Sequence, residues 1–313
     1  MLKNITKISV LALGFAMGAT GVMAEYPERA ITVMVPFPAG GSTDTMARAA
    51  ADVMSGILDA DIAVTNVGGG AGTIGTAQIA RSRPDGYTIG VIPAAPLVNQ
   101  PHMRETPYSI EDFDYICALF YSPQALALAP NSQFSNLSEV IEYARENPGV
   151  LTYGSPGPGS LPHLAMEMFL EETGVDIEHV PFQGDGPGVT ALMGGHIDMY
   201  MAIFSNVSRY DLNAVAIFAQ DRVAAAPDLP TSIEEGFKTT ASWWGGIFAP
   251  KGLPEDVKAT LSNACQKTAE NDAFAETLGK LGSFPRYLDS EAVRQEVVQS
   301  SKTNGAILKR VLK

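Results

Sequence analysis

The sequence predicts an α/β fold in which two domains, each a mostly parallel sheet flanked by helices, form a clamp. Three observations support this prediction. Apolar runs suited to buried strands alternate with stretches suited to helices, which is typical of parallel sheets. A glycine-rich turn at positions 36–44 joins one such strand to a helix. A second turn of the same kind lies at positions 154–163, so one turn from each domain could face the other across a cleft.

The first turn, PFPAGGSTD at positions 36–44, lies between an apolar run at 31–35 and a helical stretch at 43–58. Its glycines allow a ligand to approach the backbone, and Ser42, Thr43 and Asp44 are good N-cap residues. The first N–H groups of a helix carry a partial positive charge of about half an elementary charge and attract anions. The turn predicts either a carboxylate or phosphate site or an ordinary capped turn, and taken alone it favours neither.

The first 24 residues have the layout of a secretory signal peptide. Lys3 and Lys7 precede an apolar run at 8–17, and small residues lead to Ala24. The apolar run is too short for a permanent membrane helix. We therefore expect cleavage after Ala24 and an exported, soluble protein.

The net charge of the chain indicates which kinds of partner it can bind. Acidic residues outnumber basic ones by 34 to 21, which gives a formal net charge of −13. No nucleic-acid partner is expected, because phosphate contacts need clustered lysines and arginines. A small anion can still bind, but backbone N–H groups rather than a lysine cluster would have to hold it.

Cysteine and histidine usage gives no metal or redox signature. Cys117 and Cys265 are the only cysteines and fit no metal-binding or CxxC spacing. We expect single buried thiols rather than a disulfide, although an oxidising compartment would permit one. The four histidines lie far apart without a ligand spacing, so no metal and no cofactor are expected.

A second glycine-rich stretch follows in the first half of the chain. Strands are predicted at 61–66 and 87–92, and a helix at 73–83. Positions 70–75 match G-x-G-x-x-G between a strand and a helix, which is the pattern of a dinucleotide-binding site. The acidic residue that would hold a ribose at the end of the next strand is missing. We favour a glycine-rich loop beside a ligand or against a packing neighbour.

The second turn, GSPGPGSLPH at 154–163, again joins a predicted strand to a predicted helix. Two apolar runs, at 115–121 and 125–129, are broken at Ser122-Pro123 and predict the crossover between the domains. A strand at 242–250 then returns the chain to the first domain, and the last predicted helices are 254–269, 273–281 and 291–312.

Several motifs together resemble one family. In addition to the two turns, the chain has PDGY at 84–87, YGS at 153–155, HVP at 179–181, GGHID at 194–198, PT at 230–231 and SWWG at 242–245. Their order and spacing are similar to those of the Bug family, the periplasmic solute receptors of tripartite tricarboxylate transporters. The resemblance covers essentially the whole chain after residue 24.

The resemblance implies a periplasmic-binding-protein-like (Venus flytrap) clamp. Domain 1 would comprise residues 25–122 and 224–313, and domain 2 residues 123–223. Such a protein is not an enzyme: it captures a small di- or tricarboxylate or related organic acid in the periplasm and delivers it to the permease subunits of the membrane transporter. We expect a monomer.

The resemblance also assigns ligand contacts residue by residue. Those of the first turn are Phe37, Gly41, Ser42, Thr43 and Asp44, those of the second are Ser155, Gly159 and Ser160, and Asp198 and Ser205 would lie near the far side of the pocket. His163 either reaches the cleft or is satisfied at the start of its helix. Asp44 is expected to support the turn more than to touch an anionic ligand, because like charges repel.

Departures from the family pattern leave the distal end of the ligand open. Phe182 and Gln183 replace a tyrosine and a basic residue that are usual in the family. Arg209 is a candidate for a second carboxylate, or it is solvated. The rival interpretation is an exported hydrolase that uses a serine of one turn, but neither Ser42 nor Ser155 lies in a G-x-S-x-G motif.

Overall fold

The computed structural model of the protein describes residues 26–311, so the predicted signal peptide and its cleavage site lie outside the described residues. The strands are β1 (Ile31–Val35), β2 (Ile62–Asn66), β3 (Thr88–Pro93), β4 (Phe113–Leu128), β5 (Thr152–Ser155), β6 (Glu178–Pro181), β7 (Met199–Ile203), β8 (Ala214–Phe218), β9 (Ser242–Pro250) and β10 (Phe284–Leu288). The helices are α1 (Ser42–Leu58), α2 (Thr73–Ala80), α3 (Ala94–Val98), α4 (Gln100–Met103), α5 (Leu137–Glu146), α6 (Leu161–Thr173), α7 (Asp185–Met193), α8 (Phe204–Tyr210), α9 (Glu255–Ala269), α10 (Asp272–Lys280) and α11 (Ser290–Val311), with 3₁₀ turns at Gly70–Gly72 and Ile110–Asp112.

The alternation of strands and helices predicted from the sequence is confirmed, and the α/β clamp is the observed architecture. The strands follow the order β2-β1-β3-β9-β4-β7-β5-β6, with β8 and β10 also paired to β4. Two parallel triplets lie at the ends: β1 between β2 and β3, and β5 between β6 and β7. We call the parts built around these triplets the first and second half of the molecule. The long strands β4 and β9 join them and pair antiparallel.

Strand β4 corrects one expectation. The two apolar runs form a single strand of 16 residues that Ser122 and Pro123 do not break. Along 113–123 the strand pairs with β9, and from Gln124 onward it pairs with β7 and β8. Pro123, which lacks an N–H, therefore lies where the strand changes partners, and the continuous strand connects the two halves.

Apolar side chains form separate cores in the two halves. One cluster packs β1 and β3 against α1 and α9, and another packs β5 and β7 against α5 and α6. The domain boundary near residue 223 stays a prediction. Ala226 and Leu229 pack on second-half residues, as do Phe237 and Ala241, which favours a return to the first half closer to Ser242.

The cysteines are paired, contrary to the expectation of two free thiols. Cys117 of β4 and Cys265 of α9 form a disulfide, and both residues are fully buried in the core of the first half. Strand β4 and helix α9 pack against each other, which brings together two cysteines separated by 148 positions in the sequence. The sequence spacing carries no information about this contact.

Removing the disulfide should destabilise the protein strongly. In the chain-entropy description, cross-linking a loop of this length stabilises a fold by about 5 kcal/mol. We expect the double variant Cys117→Ala, Cys265→Ala to lose free energy of unfolding on this scale in urea titrations. Wild-type protein titrated with a reductant present should show a similar loss, and an unchanged midpoint in both experiments would contradict the pairing.

Candidate functional site

The two predicted turns meet at one cavity of about 660 Å³ between the halves, which we call the central cavity. Each turn follows the middle strand of a parallel triplet, β1 or β5, and the carboxyl ends of such strands are where α/β folds place ligands. Its walls come from both turns and from the ends of neighbouring strands. The lining residues are Phe37, Pro38, Ala39, Gly40, Gly41, Ser42, Thr43, Ala71, Pro93, Ala95, Gln100, Pro156, Gly157, Pro158, Gly159, Ser160, Leu161, Pro162, Asp185, Ile203 and Trp243.

The first turn ends in a helix N-terminus with free donors. Helix α1 begins at Ser42, and its N-cap residue Gly41 has no side chain to accept the first N–H groups. Within residues 26–311, the N–H groups of Gly41, Ser42 and Thr43 donate no hydrogen bond. They lie at the cavity wall with the partial positive charge of a helix of 17 residues behind them. This arrangement suits a bound anion.

Asp44 holds the first turn in shape rather than lining the cavity. Its carboxylate is 3% exposed and accepts hydrogen bonds from the Gly40 N–H at 2.8 Å, the Asn66 amide at 2.9 Å and the Arg48 side chain at 3.0 Å. Burial alone would raise the pKa of Asp44, but these hydrogen bonds lower it below its usual value. Gly40 takes φ +80°, a conformation that favours glycine. The supporting role expected for Asp44 agrees with these contacts.

The second turn differs from the first because its N–H groups are already bonded. The Gly157 N–H donates to Ser155 Oγ at 3.2 Å, the Gly159 N–H to His163 Nδ1 at 3.0 Å, and the Ser160 N–H to the Gly157 carbonyl at 3.2 Å. Ser160 Oγ caps α6 by accepting the His163 N–H at 3.3 Å. The second turn is therefore a rigid wall, and the donors at the cavity come mainly from the first turn.

Contacts with the first half fix the second turn across the cavity. The buried Asn99, between α3 and α4, donates its amide to the Gly159 carbonyl at 2.9 Å and accepts from Asn304 of α11 at 2.7 Å. A β-carbon at Gly159, which has φ +73°, would overlap the side chain of Met103. Glycine at this position therefore allows the two halves to approach.

Several predicted site residues lie away from the central cavity. Ser155 is fully buried beneath the second turn, and His163 is 3% exposed. Asp198 is not at this cavity: its carboxylate accepts the backbone N–H and hydroxyl of Thr152, both at 2.8 Å, where β5 begins rather than where it ends. Ser205 lines a smaller cavity of about 400 Å³ that borders the first turn and also contains Arg209.

Other lining residues were not singled out as ligand contacts from the sequence. Asp185 begins α7 and Ile203 ends β7, so the carboxyl ends of the strands were the signal that could have found both. Trp243 forms a wall and packs on Phe120 with ring centroids 5.2 Å apart. Gln100 carries no sequence signal. The G-x-G-x-x-G stretch contributes Ala71 to the wall of the central cavity.

Comparison with known proteins identifies the family. The model of the tripartite tricarboxylate transporter family receptor matches residues 46–312. The chain belongs to this family. The resemblance to Bug proteins is confirmed by BugT of Bordetella pertussis, which is 32% identical over 90% of this chain and 90% of its own. Two solved structures from Rhodopseudomonas palustris are also similar: Rpa4515 with adipate (TM-score 0.75, 26% identity, 91% of this chain and 97% of that chain) and MatC with bound malate (TM-score 0.72, 27% identity, 90% and 100%).

Members of this receptor family bind solutes and are not enzymes. One contact in the receptor nevertheless looks catalytic, since Ser155 Oγ lies 2.8 Å from His179 Nε2. Ser155 is fully buried, lies outside the cavity lining and also accepts the Gly157 N–H, so the pair supports the second turn.

In the described part of the chain, no helix has both the length and the apolar composition to cross a membrane.

Two stacked histidines beneath the second turn link its geometry to pH. The rings of His163 and His179 lie 4.2 Å apart, and His179 also stacks on Tyr153. Burial lowers the pKa of each histidine to about 4, and for His179 the neighbouring His163 adds to the effect. Glu167, with Oε1 3.8 Å from His163 Nε2, is the acid facing the pair. The bond from Gly159 requires an unprotonated Nδ1, so the neutral ring holds the turn.

The receptor should therefore lose stability between about pH 6.5 and pH 4. In this window the unfolded chain binds protons at these histidines and the folded chain does not, so the free energy of unfolding falls as pH falls. For His163 alone we expect about 1 kcal/mol per pH unit at most. Urea titrations at pH 7.5, 6 and 5 should show a shallower dependence in His163→Asn. The exposed His196→Asn is the control, and equal pH dependence in all three proteins would contradict this role.

Proposed function

We propose that the receptor captures a small carboxylate-bearing solute, a di- or tricarboxylate or a related organic acid, in the central cavity. The observation that carries the proposal is the uncapped first turn of α1 at the cavity wall. No lysine, arginine or histidine lines the central cavity among residues 26–311, so backbone N–H groups are the donors available to an anion there. Adipate and malate, bound by the two related structures, are both dicarboxylates.

In this proposal one ligand carboxylate accepts hydrogen bonds from the N–H groups of Gly41, Ser42 and Thr43. The exposed side chain of Ser42 adds a hydroxyl donor, and Phe37 forms the apolar wall beside it. The second turn encloses the ligand from the opposite side through Gly159 and Ser160. Three further residues act indirectly by holding the turns in shape: Asp44, Ser155 and His163.

The same proposal assigns the transport role. The signal peptide of residues 1–24 exports the chain to the periplasm, and the protein closes around the ligand by movement of the second half of the molecule against the first. A ligand that contacts both turns favours the closed form, because it binds that form more tightly than the open one. The closed receptor then presents the ligand to the permease subunits of a tripartite tricarboxylate transporter.

A thermal-shift screen of mono-, di- and tricarboxylates tests this function on protein stripped of ligand by unfolding and refolding. We expect at least one acid to raise the unfolding temperature. Gly41→Asp should lower the affinity for that acid about tenfold or more, since the new side chain caps the same N–H groups and repels the ligand. The variant should itself be more stable by about 0.5 kcal/mol, because it fills the empty cap.

The matched control is Gly41→Ala. Its β-carbon would lie 3.5 Å from the Pro38 carbonyl oxygen, an ordinary contact, and φ −78° suits alanine. Alanine offers no capping oxygen, so the affinity should stay near that of the wild type. If no organic acid stabilises the protein, the proposed function is contradicted. If the Asp and Ala variants bind the acid with equal affinity, the ligand does not bind at α1.

A further inference from the structure

The last helix, α11, is anchored to the first half of the molecule. Its fully buried Val297 packs in one apolar cluster with residues of β3 and β9. Ser301 Oγ lies 2.8 Å from His102 Nε2 of α4. A β-carbon at Gly305 would overlap the His102 ring, so glycine at this position allows α11 to pack closely on α4. Helix α11 therefore moves with the first half.

An apolar cluster joins the C-terminal end of α11 to helix α6 of the second half. Ile307 and Leu308 of α11 are 6% and 1% exposed, and Leu164 of α6 is 2% exposed in the same cluster. Met168 of α6 and Met103 of α4 pack against it. Separating α6 from α11 would expose these side chains to water, which is unfavourable. The cluster therefore favours the arrangement in which the two halves touch.

Polar contacts cross between the halves beside this cluster. Asn304 of α11 donates to the buried Asn99 at 2.7 Å, and Asn99 donates to the Gly159 carbonyl of the second turn at 2.9 Å. Arg310 Nη1 of α11 lies 2.8 Å from Glu171 Oε2 of α6. Asn99, Asn304 and Arg310 do not line the central cavity. These contacts therefore do not require a bound acid.

A second cavity, of about 630 Å³, lies between these contacts and the strands that connect the halves. Its lining includes Pro123 of β4 and Ser242 and Trp244 of β9, and also Leu164 of α6 and Asn304 of α11. The α6–α11 contact thus lies at a distance from the connecting strands. A rotation of the second half about these strands displaces distant surfaces more than near ones, so α6 and α11 part when the halves move apart.

We propose that α11 is a latch, which holds the second half in the closed position before a ligand arrives. It does so through Asn304, Ile307, Leu308 and Arg310. The inference rests on the closing movement in the proposed function, but not on the identity of the acid. The apparent affinity for a ligand rises with the fraction of receptor that is already closed. The four side chains are then positioning residues, which act on the ligand through the second turn.

Leu308→Ala tests the latch by removing apolar contact with α6. Small-angle X-ray scattering of ligand-stripped protein should give a larger radius of gyration for this variant than for the wild type, because more of the population is open. Calorimetric titration with succinate, malate and adipate identifies the acid that the wild type binds most tightly, and the variant should bind that acid about tenfold more weakly. At saturation with that acid, the two radii should agree. The control Val298→Ala, on an exposed part of α11, should match the wild type throughout.

A charge-swap cycle tests the same contact without disturbing the core. Arg310→Glu and Glu171→Arg should each enlarge the ligand-free radius and lower the affinity about two- to fivefold at low ionic strength, because each places like charges across the two halves. The double variant restores opposite charges and should recover both values. Changes that merely destabilise one half would not be rescued in this way. Lys309→Glu makes the same change of charge at the neighbouring exposed position and should have no effect.

The outcomes separate the latch from the proposed function. Equal ligand-free radii of the wild type, Leu308→Ala and Arg310→Glu would overturn the latch, whichever acid binds. Larger radii with an unchanged affinity would also overturn it, because the contact would then be unconnected to binding. If none of the three acids binds, the result counts against the proposed function alone, and the ligand-free radii still decide the latch. If Leu308→Ala fails to fold, the charge-swap cycle decides.

Discussion

The proposed function depends on one feature of the structure: the N–H groups in the first turn of α1 have no hydrogen-bond acceptor within residues 26–311. A helix usually has these groups capped by a side chain, yet Gly41 offers none. The turn keeps its shape because Asp44, beneath it, binds Gly40, Asn66 and Arg48. The acidic side chain thus points away from the cavity and stabilises the backbone that faces it. Leaving the cap empty costs stability in the free protein and leaves the donors available for an anion.

The two halves contribute differently to the site, although their turns look alike in sequence. Both turns follow the middle strand of a parallel triplet, which places them at the same cavity. The second turn uses its own N–H groups for internal bonds to Ser155, Gly157 and His163. Asn99 then fixes it to the first half. The first turn therefore offers hydrogen-bond donors, and the second forms a rigid wall. The sequence had predicted two turns with the same role.

Much of the fold was predictable because the strands are apolar and β-branched and the turns between them are rich in glycine and proline. Strand β1 has the predicted bounds, and α1 differs by one residue at its start. The break at Pro123 was wrong, since a proline is tolerated where a strand changes partners. The disulfide was missed because pairing of Cys117 and Cys265 depends on tertiary packing rather than spacing.

Less of the site was predictable, since a motif identifies a turn but not which of its groups are already bonded. Ser155 was expected as a contact in the second turn and Asp198 near the far side of the pocket, yet both make their hydrogen bonds inside the second half. Gln100 reaches the cavity only through the arrangement of neighbouring elements. Residues that act through three-dimensional neighbours leave no local pattern in the chain.

The most direct test of anion binding at the start of α1 is amide NMR of isotopically labelled protein titrated with the acid that stabilises it most. Hydrogen bonding to a carboxylate moves an amide proton downfield. We expect the amides of Gly41, Ser42 and Thr43 to shift in this direction at saturation, while the already bonded amide of Gly159 shifts less. Saturable binding that leaves the three amides of the first turn unmoved would contradict anion binding at α1.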